Sequence, residues 1–413
     1  MYNIKLEVDK PDVKGLEERV RETINDGIRI TDNIDTIIDN LTTEKAKSLR
    51  NLGVYGIKNP NSSQEVITYL KRKSVDDPNI ELYCKDDFGK WSSKADNMTA
   101  LAHAGNEFAL DLLVYRRIKK YIETLVSLKS FRQSDGMIRP VVSVGKTGRI
   151  NYSDPALMNI PKKMLWDTVV PSDDNNVLIS VDIKNQEPWI LINMLNIQSL
   201  KEALKDDSEG GLYNSMFRLW FGHEPTPLQR SEFKTAWNAL TYGSTKKAVT
   251  ERCKNIDGAE VYKKFNGIQE LKDYSSECYK KASKGDRTAK TLFGREVYAD
   301  AGTKSSIQRQ LRNLPIQGTG VDILALLVKH FEDTVEELGL VDKIWLYYTR
   351  HDEVILEVDG DYFNSTGEDK VIEMLRDIFE HKIDDWESFK VEIGRVKPTG
   401  FGMDVLQDCD EDM

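Results

Sequence analysis

Three acidic residues stand at the ends of apolar, β-branched runs. Asp182 closes the run VLISVDI (177–183), and Asp352 and Glu353 separate IWLYYT (344–349) from VILEV (354–358). Such runs read as buried strands, and the last two, joined across His351, Asp352 and Glu353, read as a β-hairpin. A hairpin tip beside the end of another strand brings carboxylates within a few ångströms, where like charges repel unless cations intervene. Hard oxygen ligands suit Mg²⁺, and two such ions about 3.5–4 Å apart clamp the attacking and leaving oxygens of an in-line phosphoryl displacement. The chemistry these acids point to is two-metal phosphoryl transfer. A strand-end carboxylate also serves as a turn residue or ion-pair partner, so the acids alone leave both readings open.

A second constellation lies in QRSEFKTAWNALTYGS, where Arg230, Lys234, Asn238 and Tyr242 recur every fourth residue. Successive members turn about 40° around a helix of 3.6 residues per turn, so they form one gently spiralling stripe. Arg offers a fork to terminal phosphates, and Lys supplies a point charge one turn away. Gly243 ends the helix where close backbone approach is tolerated. A solvated helix face carrying the same cations is the competing reading.

The elements that must position these groups follow from periodicity. Residues 12–50 read as amphipathic helices through Val13, Leu16, Val20, Ile24, Ile30, Ile34, Ile37, Ile38 and Leu41, and residues 98–131 as one long helix. From Val141 onward the runs VVSV, VLISVDI, IWLYYT and VILEV predict one antiparallel sheet, interrupted between the second and third runs by a helical insertion rich in Lys and Arg. The fold class expected is α+β, with a central sheet and two helical attachments.

Composition sets the outer bounds. A chain of 413 residues with 39% apolar and 31% charged side chains is neither disordered nor collagenous, and it is long enough for several subdomains. No run reaches the roughly 18 apolar residues of a spanning helix, and MYNIKLEVDK has no signal-peptide pattern, so a cytoplasmic protein is expected. Cys84, Cys253, Cys278 and Cys409 match no zinc or redox spacing. The net charge of -10 is unevenly spread. Residues 351–413 hold 6 basic against 19 acidic side chains, whereas residues 115–149 hold 9 basic against 2 acidic, a strip that reads either as a solvated face or as one that attracts phosphates by local field. The tail DCDEDM reads as a solvated end or a docking element.

Taken together and in this order, the segments resemble the polymerase domain of family A DNA polymerases, the DNA polymerase I type. TGRINYSDPALMNIP (147–161) looks like that family's TGR segment, ISVDIKNQEPWILINML like motif A, RSEFKTAWNALTYG like motif B and RHDEVILEV like motif C. RQLRNLPIQGTGVDI (309–323) resembles the family's RQ..N.P.QGTAAD stretch, and NPNSSQEVITYL (59–70) a segment of its thumb. The resemblance implies a right-hand polymerase fold: thumb over 1–140, palm over 141–204 and 311–413, fingers over 205–310.

It also implies roles. Asp182 and Asp352, with the main-chain carbonyl of Ile183, would hold two Mg²⁺ ions, for which Mn²⁺ substitutes, and Glu353 would assist. Arg230 and Lys234 would grip the phosphates of an incoming deoxynucleoside triphosphate, with Lys234 donating a proton to the leaving pyrophosphate. Tyr242 would stack near the templating base. Arg149, Arg309, Asn313, Gln317 and His351 match positions that contact primer and template, where minor-groove acceptors are nearly the same in every correct pair. Glu187 matches the position whose side chain fills the space of a ribose 2′-hydroxyl, which predicts deoxynucleotides as substrate.

Four positions depart from the family pattern. Asn238 stands where Phe or Tyr usually lies against the sugar, Tyr213 where His is common, Asn185 where Gln is usual, and Pro188 follows the sugar-gating residue. The likeness reaches almost to residue 1, which leads us to expect no 3′–5′ or 5′–3′ exonuclease domain. A monomeric phage or mobile-element replication enzyme is the expected setting, helped by a processivity partner. A repair or bypass polymerase, a single-subunit RNA-polymerase-like enzyme and a non-catalytic nucleic-acid-binding protein are the alternatives.

Overall fold

Four antiparallel strands form the sheet that carries the acidic residues, in the order Val391–Arg395, Val177–Ile183, Glu353–Val358, Ile344–Arg350. The protein is described here from a computed structural model covering residues 10–85, 89–206, 211–380 and 390–397. The first nine residues, Cys409 and the DCDEDM tail lie outside the described residues. Val177–Ile183 is buried on both faces except at Asp182, which explains its near-continuous apolar run. The sheet takes in a strand the apolar runs did not announce, Val391–Arg395. It leaves out one they did. Val141–Val144 pairs with Ile150–Ser153 in a hairpin of its own, which corrects the expectation of a single sheet. Period-2 patterning identifies a strand without naming its partner.

Helices cover the sheet. Val13–Asp26 packs on Ile344–Arg350 and on the long helix Lys304–Glu337, burying Leu16, Val20 and Ile24. Glu368–Phe379 packs on the long helix and on Val391–Arg395, with Phe379 stacked 5.6 Å from Phe331. Each such buried side chain contributes roughly 1.5–3 kcal/mol.

The insertion is helical as expected, with a short hairpin, Thr288–Lys290 with Glu296–Tyr298, before the long helix. Its centre is the helix Pro227–Thr241. Thr226 and Gln229 close a capping box there and Pro227 occupies the first turn, where no amide donor is required. The helix turns Phe233, Ala236, Trp237 and Leu240 inward, against Phe217 and Trp220 of the helix Gly211–Phe221 and against Phe265.

The chain divides into two compact units. Of the described residues, the first holds those within 10–26, 141–153 and 171–396, and so contains the sheet, the insertion and the long helix. The second holds those within 27–140, 154–170 and 397. Within the second, the helices Ile34–Val54 and Glu107–Phe131 pack together, and Tyr69, Phe108, Leu70, Leu101 and Leu112 fill a core. The long helix expected over 98–131 is two, Ala95–His103 and Glu107–Phe131, broken where Gly105 takes φ of 88°. Cys84, Cys253 and Cys278 are buried free thiols, and burial pushes their pKa values up to about 12, 12 and 11.

The basic strip at 115–149 is not a free cationic surface. Arg132 pairs with Asp32, Lys129 with Asp35, Arg139 with Asp135, Lys119 with Glu123, Lys146 with Asp300 and Arg149 with Glu187. Its net charge is therefore largely answered locally. No helix among the described residues is long and apolar enough to cross a membrane.

Candidate active site

The sheet register decides where the acids stand. Asp182 lies directly opposite Glu353, so Asp352, one residue earlier in the turn, stands next to Asp182. His351 takes φ of 55° at this turn, a left-handed conformation that lets the hairpin close between Arg350 and Glu353. Burial and the neighbouring Asp182 charge push the Asp352 carboxyl from its ordinary 3.8 up to about 6, with Glu187 adding to the rise and Arg149 opposing it. Glu353 is nearly buried. It accepts from the Ser180 hydroxyl, and Arg350 Nη1 lies 3.9 Å away.

Among the described residues no group of three or more His, Cys, Asp and Glu is arranged to hold a metal ion. Two repelling carboxylates fit the way Mg²⁺ is bound when water and substrate phosphates complete its octahedron. The donor set is hard oxygen throughout, and a divalent cation would relieve the repulsion that raises the Asp352 pKa.

Arg230, Lys234 and Asn238 lie on the open side of the Pro227–Thr241 helix, opposite its apolar face, and Tyr242 follows at its C-terminus. Lys234 Nζ lies 5.9 Å from the centre of the Tyr213 ring. Tyr213 is buried, and its hydroxyl donates to Asn238 Oδ1 at 3.0 Å, so two of the departures from the family pattern meet in one hydrogen bond. Arg230 Nε is buried without a hydrogen-bond partner, as is Asn313 Oδ1. Both belong to residues that the sequence places at the nucleotide and primer-template contacts, and a bound polar ligand would supply the missing partner.

Glu187 stands in the first turn of the helix Gln186–Met194, where a carboxylate is favoured by the helix dipole. Its Oε1 is 3.3 Å from Arg149 Nη2, and its Oε2 accepts from the Tyr242 hydroxyl. Burial raises its pKa, and Arg149 opposes the rise. Pro188 is the third residue of this helix, where its missing amide leaves no hydrogen bond unmade, which accounts for a residue the sequence left unexplained. Arg309, Asn313 and Gln317 lie four apart on the long helix, and a Cβ on Gly243 would stand 3.2 Å from Arg309 Cγ. Arg149, Glu187, Tyr242, Tyr213, Asn238 and Lys234 are thus brought together, and the charges of Glu187 and Arg149 reach Asp352.

A model described as DNA polymerase family A matches residues 33–394. The chain belongs to that family. It is 25% identical over 296 residues to DNA polymerase I of Rhizobium leguminosarum, covering 66% of this chain and 28% of that protein. It is 25% identical over 262 residues to DNA polymerase I of Aquifex aeolicus, covering 60% of this chain and 44% of the relative. The matched part therefore spans less than half the length of either relative. Among solved structures, the POL domain of Pol1 from M. smegmatis in complex with DNA primer-template and dNTP superposes with a TM-score of 0.69 at 22% identity, over 92% of this chain and 69% of that one. The fold of this family A chain is the α+β polymerase fold.

Sequence reasoning missed several residues around this site. Arg295, Arg312 and Asp322 are partly or fully buried and tie the insertion to the long helix. Their only signal is position: Arg295 follows the dipeptide Phe293-Gly294, and Arg312 and Asp322 lie within the segment that carries Asn313 and Gln317.

Proposed function

We propose that the chain is a template-directed DNA polymerase that adds deoxynucleotides to a primer 3′-hydroxyl. The observation that carries the reading is the register of Asp182 against Glu353, which sets two mutually repelling carboxylates, Asp182 and Asp352, side by side. The family relationship and the likeness to a polymerase domain bound to primer-template and dNTP support it.

Asp182 and Asp352, with the Ile183 carbonyl, would hold divalent ions, Mg²⁺ or Mn²⁺, which when bound lower the pKa of the attacking hydroxyl and neutralise charge on the phosphoryl oxygens. Arg230 and Lys234 bind the triphosphate, and the Lys234 ammonium is the proton donor for pyrophosphate. Glu187 occupies the space a 2′-hydroxyl would need, held there by Arg149 and Tyr242. Arg309, Asn313, Gln317 and His351, with Arg149, meet the primer and template. Thumb, palm and fingers are the functional names proposed for 1–140, for 141–204 with 311–413, and for 205–310.

The test is extension of a recessed DNA primer with Mg²⁺ and either deoxy- or ribonucleoside triphosphates. Templated addition of deoxynucleotides with strong preference over ribonucleotides is expected. Absence of addition by folded protein with either metal ion would overturn the reading.

A further inference from the structure

The two groups that hold Glu187 are themselves held in the same way. Arg149 is anchored through the carbonyl two residues before it: Arg295 Nη2 donates to the Thr147 oxygen at 2.7 Å. Tyr242 is anchored through the carbonyl two residues before it: Arg312 Nη2 donates to the Leu240 oxygen at 2.8 Å. Each holder also adjoins a glycine with positive φ that lies against the same arginine. A Cβ on Gly148, at φ of 92°, would stand 3.2 Å from Arg295 Nη1, and one on Gly243, at φ of 85°, would stand 3.3 Å from Arg312 Nη1.

Both arginines lead back to the long helix. Arg312 belongs to it. Arg295 is bound to it through Nε to Asp322 Oδ1 at 2.6 Å and through Nη2 to the Gly318 carbonyl at 2.9 Å. Asp322 is fully buried, so its charge requires the guanidinium beside it. The same helix reaches the residue next to Glu187, because Gln186 Nε2 donates to the Gly320 carbonyl at 3.4 Å. One rigid element thus fixes the loop before the gate's cationic partner, the helix end that carries its hydroxyl partner and the turn that carries the gate itself.

We infer that Arg295 and Arg312 are positioning residues for sugar selectivity, setting the Glu187 carboxylate through Arg149 and Tyr242 from opposite sides. The inference rests on the reading of Glu187 as the group that excludes a 2′-hydroxyl. Steric exclusion needs the carboxylate held to a fraction of an ångström, and a polar group on a loosely supported shell loses selectivity before it loses binding. The planar guanidinium of Arg295 meets a carboxylate and two carbonyls at once, and that of Arg312 spans from the long helix to the Leu240 carbonyl, geometries that a shorter-reaching ammonium does not reproduce.

The experiment compares kcat/KM for a deoxynucleotide with that for the matching ribonucleotide in the wild-type chain, Glu187→Ala, Arg295→Lys, Arg312→Lys and the double variant Glu187→Ala/Arg312→Lys. Arg295→Lys and Arg312→Lys are each expected to lower the deoxy-to-ribo ratio by about tenfold or more. In the Glu187→Ala background the Arg312 change is expected to add nothing to the ratio, because it acts through Glu187. A residue that only supported the fold would slow both substrates alike and leave the ratio unchanged. Should Arg295→Lys fail to fold because of buried Asp322, Arg312→Lys decides, since it pairs with a carbonyl. Ratios within about twofold of wild type in the arginine variants, with a collapsed ratio in Glu187→Ala, overturn the inference alone. An unchanged ratio in Glu187→Ala overturns the reading of Glu187 and the inference with it.

Discussion

Tyr213 donates its hydroxyl to Asn238 Oδ1 at 3.0 Å across the helices Gly211–Phe221 and Pro227–Thr241. These two positions each depart from the family's usual residue, and the departures are complementary. A ring is supplied from one helix, and an amide on the other takes its hydroxyl. The Lys234 ammonium lies over the same ring, so the pair sits beside the proposed phosphate grip.

A double-mutant cycle with Tyr213→Phe and Asn238→Ala should show a coupling of about 0.5–1.5 kcal/mol in unfolding free energy. Asn238→Tyr, which removes the acceptor and places a ring where the amide was, should change the ratio of dideoxy- to deoxynucleotide incorporation. A cycle that sums to zero would deny the bond, and an unchanged ratio would deny Asn238 a part in reading the sugar.

Asp352 predicts a trade of stability for chemistry. Folding raises its pKa from 3.8 to about 6, so the folded chain binds more protons than the unfolded chain across that window. Stability therefore falls as pH rises from about 4 to 6, and the penalty is fully present at neutral pH. The shift corresponds to on the order of 1–3 kcal/mol after allowance for solvent screening. In the absence of divalent ions, Asp352→Asn should be more resistant to denaturant than wild type at neutral pH, with the advantage gone near pH 4. A variant equally or less stable at neutral pH would contradict the crowding of charge at this turn.

Trp237 tests the packing that aims the cation stripe. It is 1% exposed and meets Trp220 at 5.7 Å and Phe265 at 5.1 Å between ring centres. Trp237→Ala should cost about 3–5 kcal/mol in unfolding free energy and weaken nucleotide binding through the displaced Arg230 and Lys234. A loss under about 1 kcal/mol would show that the helix is positioned by other contacts.

Gly360 tests the edge of the sheet unit. A Cβ there would lie 1.8 Å from the Asn175 carbonyl oxygen, a backbone atom that has little freedom to move. Gly360→Ala should cost about 1–3 kcal/mol while leaving the rate of nucleotide addition per folded molecule unchanged. Full stability of the variant would contradict this close approach.

The residues of the candidate site were legible because their spacing is a local property. Arg230, Lys234 and Asn238 share a helix face by their four-residue interval, and Asp182 and Asp352 stand at the ends of apolar runs. What was hidden depends on partners distant in sequence. VVSV at 141–144 carries the strand pattern, yet its partner is Ile150–Ser153 rather than the sheet. VEIGR at 391–395 has a glycine and charges inside it, and joins the sheet because Val177–Ile183 offers an unpaired edge. Arg295 and Arg312 carry no mark of their own in a Lys- and Arg-rich insertion, since only the fold reveals which arginine is buried against a carbonyl. The same blindness made the strip at 115–149 look like a free positive surface, although acids at 32, 35, 187 and 300 answer it.

The central claim is that Asp182 and Asp352 act together on one phosphoryl transfer. Single-turnover addition of one deoxynucleotide to a recessed primer, measured with Mg²⁺ for Asp182→Asn and Asp352→Asn separately, tests it most directly. Each variant, folded by circular dichroism, should lose about 10³-fold or more in rate. Either variant adding nucleotide within about tenfold of the wild-type rate would contradict the account.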